Sequence, residues 1–214
     1  RARNVSRYIA VSEFVSEYSA RYLSIPKDRI AIVENGLSRE GLIRPPLPRV
    51  VAARKATIGQ PLLVHVANAH PQKNHLAILD AFQIVRRSYP NAELVFAGVI
   101  DRQTALGRKL LDRVVSLGME HCVHFPGPLN RRDLSRLLCR AHVALLPSML
   151  EGFSIASLEY AYFGLPNVLS ETGAAQGISV KYGHAVLAEE AALSPDDLSP
   201  DAIHKRSVDP QPEV

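Results

Sequence analysis

From Pro61 to Ser170 the chain alternates short apolar runs, rich in β-branched residues, with longer segments in which apolar residues recur every three or four positions. The short runs predict buried strands, and the longer segments predict amphipathic helices. A regular succession of strand and helix is typical of a parallel sheet that is covered by helices. The pattern therefore predicts an α/β fold with a Rossmann-like doubly wound parallel sheet of four or five β-α repeats.

The boundaries of these elements follow from signals at their ends. Gly118 is a signal that ends the second helix, and Asn130 can cap the third with its side chain. The strands are predicted at 61–67, 92–99, 121–127, 142–147 and 167–170. The helices are predicted at 75–90, 102–118 and 131–141, with a fourth that begins near Phe153 or Ser154 and ends at Gly164.

Residues 1–60 are less regular and are expected to extend the same sheet. The predicted elements here are a strand at 7–11, a helix from Ser12 to about Leu23, a strand at 29–36 with a turn at Asn35-Gly36, and a proline-rich loop at 44–50. The acidic, proline-rich segment 189–214 predicts an exposed tail at a truncated end. We therefore expect one domain over 1–188, with 1–60 as its entry segment.

The composition is that of a globular protein without signals for secretion or membrane insertion. The chain of 214 residues is 47% hydrophobic, which is enough to fill a core. It has no apolar run of the roughly 18 to 20 residues that a membrane span needs, and its N-terminus lacks a signal peptide. Cys122 and Cys139 fit neither a disulfide framework nor a metal site, so both are expected to be reduced thiols. These features predict a cytoplasmic protein.

The net charge of +4 and the pI near 9.2 raise the question of an anionic partner. The lysines and arginines are scattered, and aromatic residues make up 6% of the chain with no Trp, so nucleic acid is not expected. An anionic small ligand and an anionic membrane face both stay open, beside an ordinary solvated surface.

Polar clusters follow three of the predicted strands, at the edge of a parallel sheet where ligands bind. The first, "NAHPQKNH" at Asn68–His75, contains Lys73 and the free amides of a helix start, which together would attract an anion such as phosphate. A solvated loop lysine is the alternative. The five-residue steps between His65, His70 and His75 do not match a helical zinc pair, so no metal is expected.

The second cluster is "FPGPLN" at Phe125–Asn130. Its proline and glycine expose backbone groups that could hydrogen-bond a flat heterocycle while Leu129 packs on its face. A plain turn between strand and helix explains the same residues and is favoured when the segment is taken alone.

The third cluster is "PSMLEGFSIASLEYAYFGLP", in which Glu151 follows a strand directly and Glu159 lies eight residues further on. Gly152 lets backbone come close to a ligand. Eight helical steps separate the two acids by about 12 Å along the axis and about 80° around it. They cannot act as a pair on one bond, but they could bind two ends of a long ligand whose anionic oxygens face the helix amides. The alternative is a loop acid and a solvated helix position.

Taken in this order, "HVANAHPQKNH", "FPGPL" and "EGFSIASLEYAYFGLPNV" resemble the C-terminal, donor-binding domain of the retaining glycosyltransferases called glycosyl transferase group 1. The resemblance runs from about Arg7 to about Val186 and is most specific in the block with the two glutamates. It implies the two-domain GT-B architecture, with this chain as the C-terminal half and the N-terminal acceptor domain absent.

The resemblance also implies a role for each candidate residue. Lys73 would contact the diphosphate and Glu151 the hydroxyls of the donor sugar, and both would take part in catalysis. Glu159 would bind the ribose hydroxyls, and Leu129 with its neighbours would hold the base. The amides that face sugar and phosphate would be those of Gly152, Phe153, Ser154 and Ile155.

Three positions depart from the family's pattern. Asn68 stands where an arginine is common, five residues before the lysine, so one charge contact to the diphosphate is missing or supplied elsewhere. Ser154 stands where glycine is frequent but keeps the amide, and the usual glycine pair after the next strand is Gly173 with Ala174. Without an acceptor domain, we expect an excised domain that binds nucleotide weakly and turns over nothing alone.

By resemblance, the reaction is transfer of a hexosyl group from a UDP-, GDP- or ADP-linked sugar to an acceptor hydroxyl, with the anomeric configuration retained. No metal or other cofactor is expected. The acceptor, a glycan or a lipid-linked saccharide, would bind the missing domain, and peripheral contact with the inner face of a membrane stays open. A non-catalytic nucleotide-binding or interaction module with the same fold is the alternative, favoured by Asn68. A nicotinamide-dependent dehydrogenase is not expected because the chain has no G-x-G-x-x-G.

Overall fold

The computed structural model describes residues 5–170 and 185–188 and has alternating strands and helices. The strands are β1 (Tyr8–Ala10), β2 (Ile30–Ile32), β3 (Leu62–Val66), β4 (Glu93–Ala97), β5 (Val123–Gly127), β6 (Val143–Leu146), β7 (Asn167–Ser170) and β8 (Ala185–Ala188). The helices are α1 (Glu13–Tyr22), α2 (Leu47–Ala56), α3 (His75–Ser88), α4 (Ala105–Ser116), α5 (Arg131–Arg140) and α6 (Ile155–Tyr162).

The strands β3 to β8 form a six-stranded parallel sheet in the order β5-β4-β3-β6-β7-β8, which confirms the predicted doubly wound fold. The order reverses between β3 and β6, which pair through Leu63 and Val143. The loops that leave these two strands diverge from one point on the carboxyl edge of the sheet. Open α/β sheets form their ligand crevice at such a point.

The core lies on both faces of the sheet. Leu63 packs with Phe82 of α3 on one face, and the next residue, Val64, packs with Leu138 of α5 on the other. Successive residues of a strand point to opposite faces, so a strand that is covered on both sides must be apolar throughout. This explains the continuous apolar run of β3, in which the polar residue His65 is fully buried.

The strands and helices predicted between residues 61 and 170 are confirmed. Gly118 follows α4 with a left-handed φ of +63°, and Asn130 caps α5 by accepting a hydrogen bond from the Asp133 amide at 3.0 Å. The helix α6 begins at Ile155, slightly later than predicted, because Ser154 keeps an extended backbone and serves as the N-cap.

The prediction that residues 1–60 extend the main sheet is wrong. The strands β1 and β2 pair with each other as a separate two-stranded parallel sheet, closed by α1 as one β-α-β unit. The second of these strands is shorter than predicted, and the chain turns at Glu40-Gly41 rather than at Asn35-Gly36. Gly41 adopts a φ of +71°, which glycine reaches without strain.

The predicted proline-rich loop at 44–50 is also wrong, because α2 begins at Leu47. Pro46 occupies the N-cap position and Pro48 lies in the first turn of the helix. Proline is tolerated there because the first N–H groups of a helix have no intrahelical partner and the fixed φ of proline suits a helix. Residues that are typical of a loop therefore begin a helix.

Some expectations concern parts of the chain outside the described residues, namely the tail at 189–214 and the pair Gly173-Ala174. The limits of the domain therefore stay a prediction. Cys122 is buried and Cys139 is half-buried, and both thiols are free, as predicted. Within the described ranges, no helix combines the length and the apolar character that a membrane crossing requires.

Arg54 of α2 connects the ends of two neighbouring helices. Its side chain is buried, and this burial lowers its pKa. Nη1 donates a hydrogen bond to the carbonyl of Gly164 at 2.6 Å, and Nη2 donates to the carbonyls of Leu138 at 2.8 Å and Phe163 at 3.1 Å. These carbonyls lie at the C-terminal ends of α5 and α6, where the helix dipoles are negative. Arg54 thereby holds the end of α6 against α5.

We expect Arg54→Met to lower the free energy of unfolding by about 2 to 4 kcal/mol, because three carbonyls lose a charged donor. Urea denaturation followed by circular dichroism measures the change. Lys55→Met, at the exposed next position of the same helix, should change the value by less than about 0.5 kcal/mol. Equal effects of the two substitutions would contradict this role of Arg54.

Candidate functional site

The loops after β3 and β6 meet at the carboxyl edge of the sheet. The amide of Met149 donates a hydrogen bond to the carbonyl of Gln72 at 2.8 Å, which joins the two loops. Both loops leave the sheet where its strand order reverses. The first and third polar clusters predicted from the sequence therefore lie side by side.

Lys73 and Glu151 form a direct ion pair between these loops. Nζ of Lys73 lies 2.6 Å from Oε2 of Glu151, and the two side chains are 28% and 12% exposed. Lys73 ends the short 3-10 turn Pro71–Lys73, which Asn74 closes with a left-handed φ of +53°. The two residues were predicted to contact different parts of a ligand, and their contact with each other was not predicted.

The start of α6 is held from two sides. Ser154 is buried and accepts a hydrogen bond from the Ser157 amide at 3.1 Å. The hydroxyl of Ser12, which also caps α1, donates to the carbonyl of Gly152 at 2.6 Å. A Cβ on Gly152 would lie 3.2 Å from Cγ2 of Val15, so α1 packs closely on this loop. The first amides of α6 therefore have fixed positions at the edge of the sheet.

Glu159 forms a second ion pair at the same edge. Its Oε1 lies 2.8 Å from Nη1 of Arg131, and the side chain of Glu159 is 10% exposed while that of Arg131 is 44% exposed. Burial raises the pKa of the Glu159 carboxyl, and the Arg131 guanidinium opposes this rise. Arg131 was not predicted as a site residue, although its place directly after the predicted cap Asn130 put it at this edge.

Tyr160 anchors α6 to the end of β3. Its side chain is fully buried, and its hydroxyl accepts a hydrogen bond from the Val66 amide at 3.0 Å. Burial raises the pKa of Tyr160, so the hydroxyl stays protonated. This contact fixes the rotation of α6 and with it the direction of Glu159. Nothing in the local pattern distinguished Tyr160 from the other apolar positions of the helix.

Asn68 joins the loops that leave β3 and β4. Its Oδ1 accepts a hydrogen bond from the Val99 amide at 2.9 Å. Gly98 lies beside it, and a Cβ there would come within 2.2 Å of the Ala67 carbonyl oxygen. The side-chain oxygen of Asn68 therefore serves the loop itself, while the residue remains exposed at the predicted edge.

The three histidines have different surroundings. His65 and His75 are buried with ring centroids 4.6 Å apart, and His75 stacks on Phe96. Burial lowers the pKa of His65 to about 3 and that of His75 to about 4, so both are neutral at pH 7. His70 is exposed and accepts a hydrogen bond from the Gln72 amide. Across the part of the chain that is described, no group of three or more His, Cys, Asp or Glu residues could hold a metal ion.

The remaining predicted site residues lie along the same edge. Leu129 is half-buried against the core in the loop after β5, where Gly127 has a left-handed φ of +77°. Phe153 is half-buried, and Ile155, the first residue of α6, has an exposed side chain. The structure therefore brings all three predicted clusters to the carboxyl edge, and it pairs each of the two acids with a cation.

These features define a doubly wound α/β protein with a charged crevice at the point where the strand order reverses between β3 and β6. Residues 52–204 match the model of the family described as glycosyl transferases group 1, which is more than half of the chain. The chain belongs to this family. The matched segment begins at residue 52 and ends at residue 204, whereas the resemblance seen in the sequence runs from about Arg7 to about Val186.

Among characterised proteins, the chain is similar to the glycogen synthase of Mycobacterium tuberculosis, with 31% identity over 159 residues that cover 73% of this chain and 36% of the enzyme. It is also similar to O-antigen chain mannosyltransferase B of Escherichia coli, with 26% identity over 76% of this chain and 42% of that protein. The chain thus spans about two fifths of the length of these relatives.

Solved structures share the fold. Anabaena Alr3699/HepE in complex with UDP-glucose superimposes with a TM-score of 0.72 at 18% identity, over 96% of this chain and 56% of that one. The glycosyltransferase WaaG, involved in lipopolysaccharide biosynthesis, superimposes with a TM-score of 0.70 at 21% identity, over 98% of this chain and 55% of that one. The predicted fold of GT-B glycosyltransferases is therefore confirmed.

We expect Tyr160→Phe to lower the free energy of unfolding by about 1 to 3 kcal/mol, because the half-buried Val66 amide loses its acceptor. Urea denaturation measures this value. Tyr162→Phe, two residues further along the same helix, is the control and should change it by less than about 0.5 kcal/mol. A Tyr160→Phe protein as stable as the control would mean that the hydroxyl does not anchor α6.

Proposed function

We propose that the chain is the C-terminal, donor-binding domain of a retaining glycosyltransferase that transfers a hexosyl group from a nucleotide diphosphate sugar to an acceptor hydroxyl. The observation that carries the proposal is the arrangement along α6. A cation and an acid, Lys73 and Glu151, lie 2.6 Å apart in the loops beside the start of this helix, and a buried acid, Glu159, lies in the middle of the helix.

The diphosphate is proposed to bind between Lys73 and the start of α6. The first amides of a helix have no intrahelical partner, and the helix dipole makes this end positive. In this chain the helix starts at Ile155, and the loop amides of Gly152, Phe153 and Ser154 lead directly into that end, where α1 and the Ser154 cap hold the chain in place. A diphosphate bound here meets donors that are already oriented, which is the arrangement that favours anions at helix starts.

The two acids are proposed to bind the two ends of the donor. Glu151, beside Lys73, accepts hydrogen bonds from the sugar hydroxyls, and Glu159 accepts them from the ribose. Glu151 lies in the loop before α6 and Glu159 lies within the helix, each paired with a different cation, so the two acids suit two parts of an extended ligand rather than joint action on one bond. Leu129 in the loop after β5 packs on the base. The UDP-glucose bound to Anabaena Alr3699/HepE supports this class of donor.

Catalysis in this proposal is mainly electrostatic. The bond between the anomeric carbon and the diphosphate oxygen breaks, its electron pair stays on the diphosphate, and the sugar becomes oxocarbenium-like. Lys73 and the α6 amides stabilise the negative charge that develops on the leaving group. The acceptor hydroxyl forms the new bond on the face that the diphosphate leaves, which retains the configuration, and its proton passes to the departing diphosphate oxygen. We assign no covalent nucleophile, metal or other cofactor to this step.

The acceptor is proposed to bind a second domain. The chain covers about two fifths of its relatives, which leaves room for such a domain in a longer protein. A glycan or a lipid-linked saccharide is the class of acceptor. The free thiols support a place in the cytoplasm. The net charge of +4 suits peripheral contact with an anionic membrane at its inner face.

Lys73→Met should weaken the binding of UDP, GDP or ADP by about tenfold or more, because the diphosphate loses a charged donor. The affinity for the corresponding nucleoside monophosphate should stay within about twofold of the wild-type value. Calorimetry at up to millimolar ligand measures both affinities, and Lys55→Met is the control for a lost surface charge. A chain that binds none of the three diphosphates would rule out the proposed site.

One observation favours a second candidate, a non-catalytic nucleotide-binding module. Asn68 stands where the family commonly has a cation, and its Oδ1 is used by the Val99 amide. A transfer assay decides between the two functions when the chain is joined to an N-terminal acceptor domain. If the chain is a glycosyltransferase, we expect turnover that Glu151→Gln reduces by about a hundredfold or more. If it is a non-catalytic module, we expect nucleotide binding without turnover.

A further inference from the structure

Arg131 lies at this edge, and the resemblance to the family assigned it no role. It lies at the first position of α5, immediately after the Asn130 cap, and its guanidinium contacts the buried carboxylate of Glu159 at 2.8 Å. The contact joins residues 28 positions apart and connects the start of α5 to the middle of α6.

The stem of Arg131 is fixed by its surroundings. Its carbonyl accepts a hydrogen bond from the Ser135 hydroxyl at 2.8 Å, and that hydroxyl in turn accepts one from the Ile43 amide at 2.9 Å. A Cβ on Gly41 would lie 3.1 Å from Cβ of Arg131, so the loop before α2 packs directly on this side chain. The backbone and Cβ of Arg131 are therefore held in place by their neighbours, which limits how far the guanidinium can move away from Glu159.

The pair is unequal in its exposure to solvent. Glu159 is almost buried, whereas nearly half of the Arg131 side chain is exposed. A buried carboxylate without a cation would tend to take up a proton, and Arg131 opposes that tendency. Its guanidinium occupies Oε1 of Glu159, which leaves Oε2 as the oxygen available to a ligand at the edge of the sheet.

We propose that Arg131 is a positioning residue that holds the Glu159 carboxylate ionised and oriented for the hydroxyls of a ribose, and so makes the site select ribonucleotides over 2′-deoxyribonucleotides. The inference rests on the proposed function, because it takes a nucleoside diphosphate as the ligand. It goes beyond that function in assigning the ribose preference to a residue on α5 that does not itself need to touch the ribose.

Among the described residues, the charge that acts on the Glu159 carboxyl comes from Arg131 of α5. The Tyr160 hydroxyl, next to Glu159 on α6, is neutral. Glu151 at the start of α6 is paired with Lys73. Removal of Arg131 should therefore raise the pKa of Glu159. Protonation of Glu159 would then weaken ribose binding as the pH falls, beginning at a higher pH than in the wild-type chain.

The test compares UDP with 2′-deoxy-UDP, or the matching guanine or adenine pair if that base binds more tightly. The wild-type chain should prefer the ribonucleotide by about tenfold or more, as expected for a hydrogen bond to a charged group. Arg131→Met should reduce this preference to less than about twofold while the affinity for the 2′-deoxy ligand stays within about twofold. Arg131→Lys should restore part of the preference, and Arg132→Met, at the exposed next residue, should keep all of it.

The pH profile separates positioning from a merely structural effect. In Arg131→Met, the ribonucleotide preference should recover as the pH is raised, because Glu159 ionises again. An equal loss for both ligands, or an unchanged preference, would overturn the role of Arg131 and leave the proposed function standing. A wild-type chain that binds neither ligand would overturn both, and circular dichroism of each variant establishes that it is folded.

Discussion

The site depends on one short helix that is fixed at both ends by buried polar contacts. An isolated helix as short as α6 is not stable in water, so its position must come from the rest of the fold. Arg54 binds the carbonyls beyond its C-terminal end, and the Tyr160 hydroxyl joins its middle to β3. Ser12 holds the loop at its start through Gly152. Because three separate elements hold α6, its first amides and the Glu159 side chain have fixed positions.

The charges on this edge are balanced in pairs. Each acid of the crevice has a cation from another element, Lys73 for Glu151 and Arg131 for Glu159, which offsets the cost of burying a carboxylate. In the proposed donor site, a diphosphate would meet a lysine that already has a partner. The oriented amides at the start of α6 would supply additional positive potential. This division of roles is how the proposed site would bind a dianionic group although Asn68 carries no charge.

The sequence predicted those parts of the molecule that periodicity determines. The strands β3 to β7 and the helices between them follow from local patterns of apolar residues, and their carboxyl-edge loops carry the predicted site residues. The helix α2 was not predicted, because prolines such as Pro46 and Pro48 are typical both of loops and of the first turn of a helix. The pairing of β1 with β2, and the contacts of Arg131 and Tyr160, depend on residues far apart in the chain. A single sequence contains no local signal for them.

The most direct test of the account is amide NMR of the isotope-labelled chain during titration with UDP. If the diphosphate lies at the start of α6, the largest shift changes will be those of Lys73 and the amides of Gly152–Ile155, with smaller changes near Leu129. The opposite, amino edge of the sheet has a cavity of about 500 Å³ lined by basic residues such as Arg49 and Arg140. Shift changes concentrated around that cavity, with the α6 amides unmoved, would contradict the account.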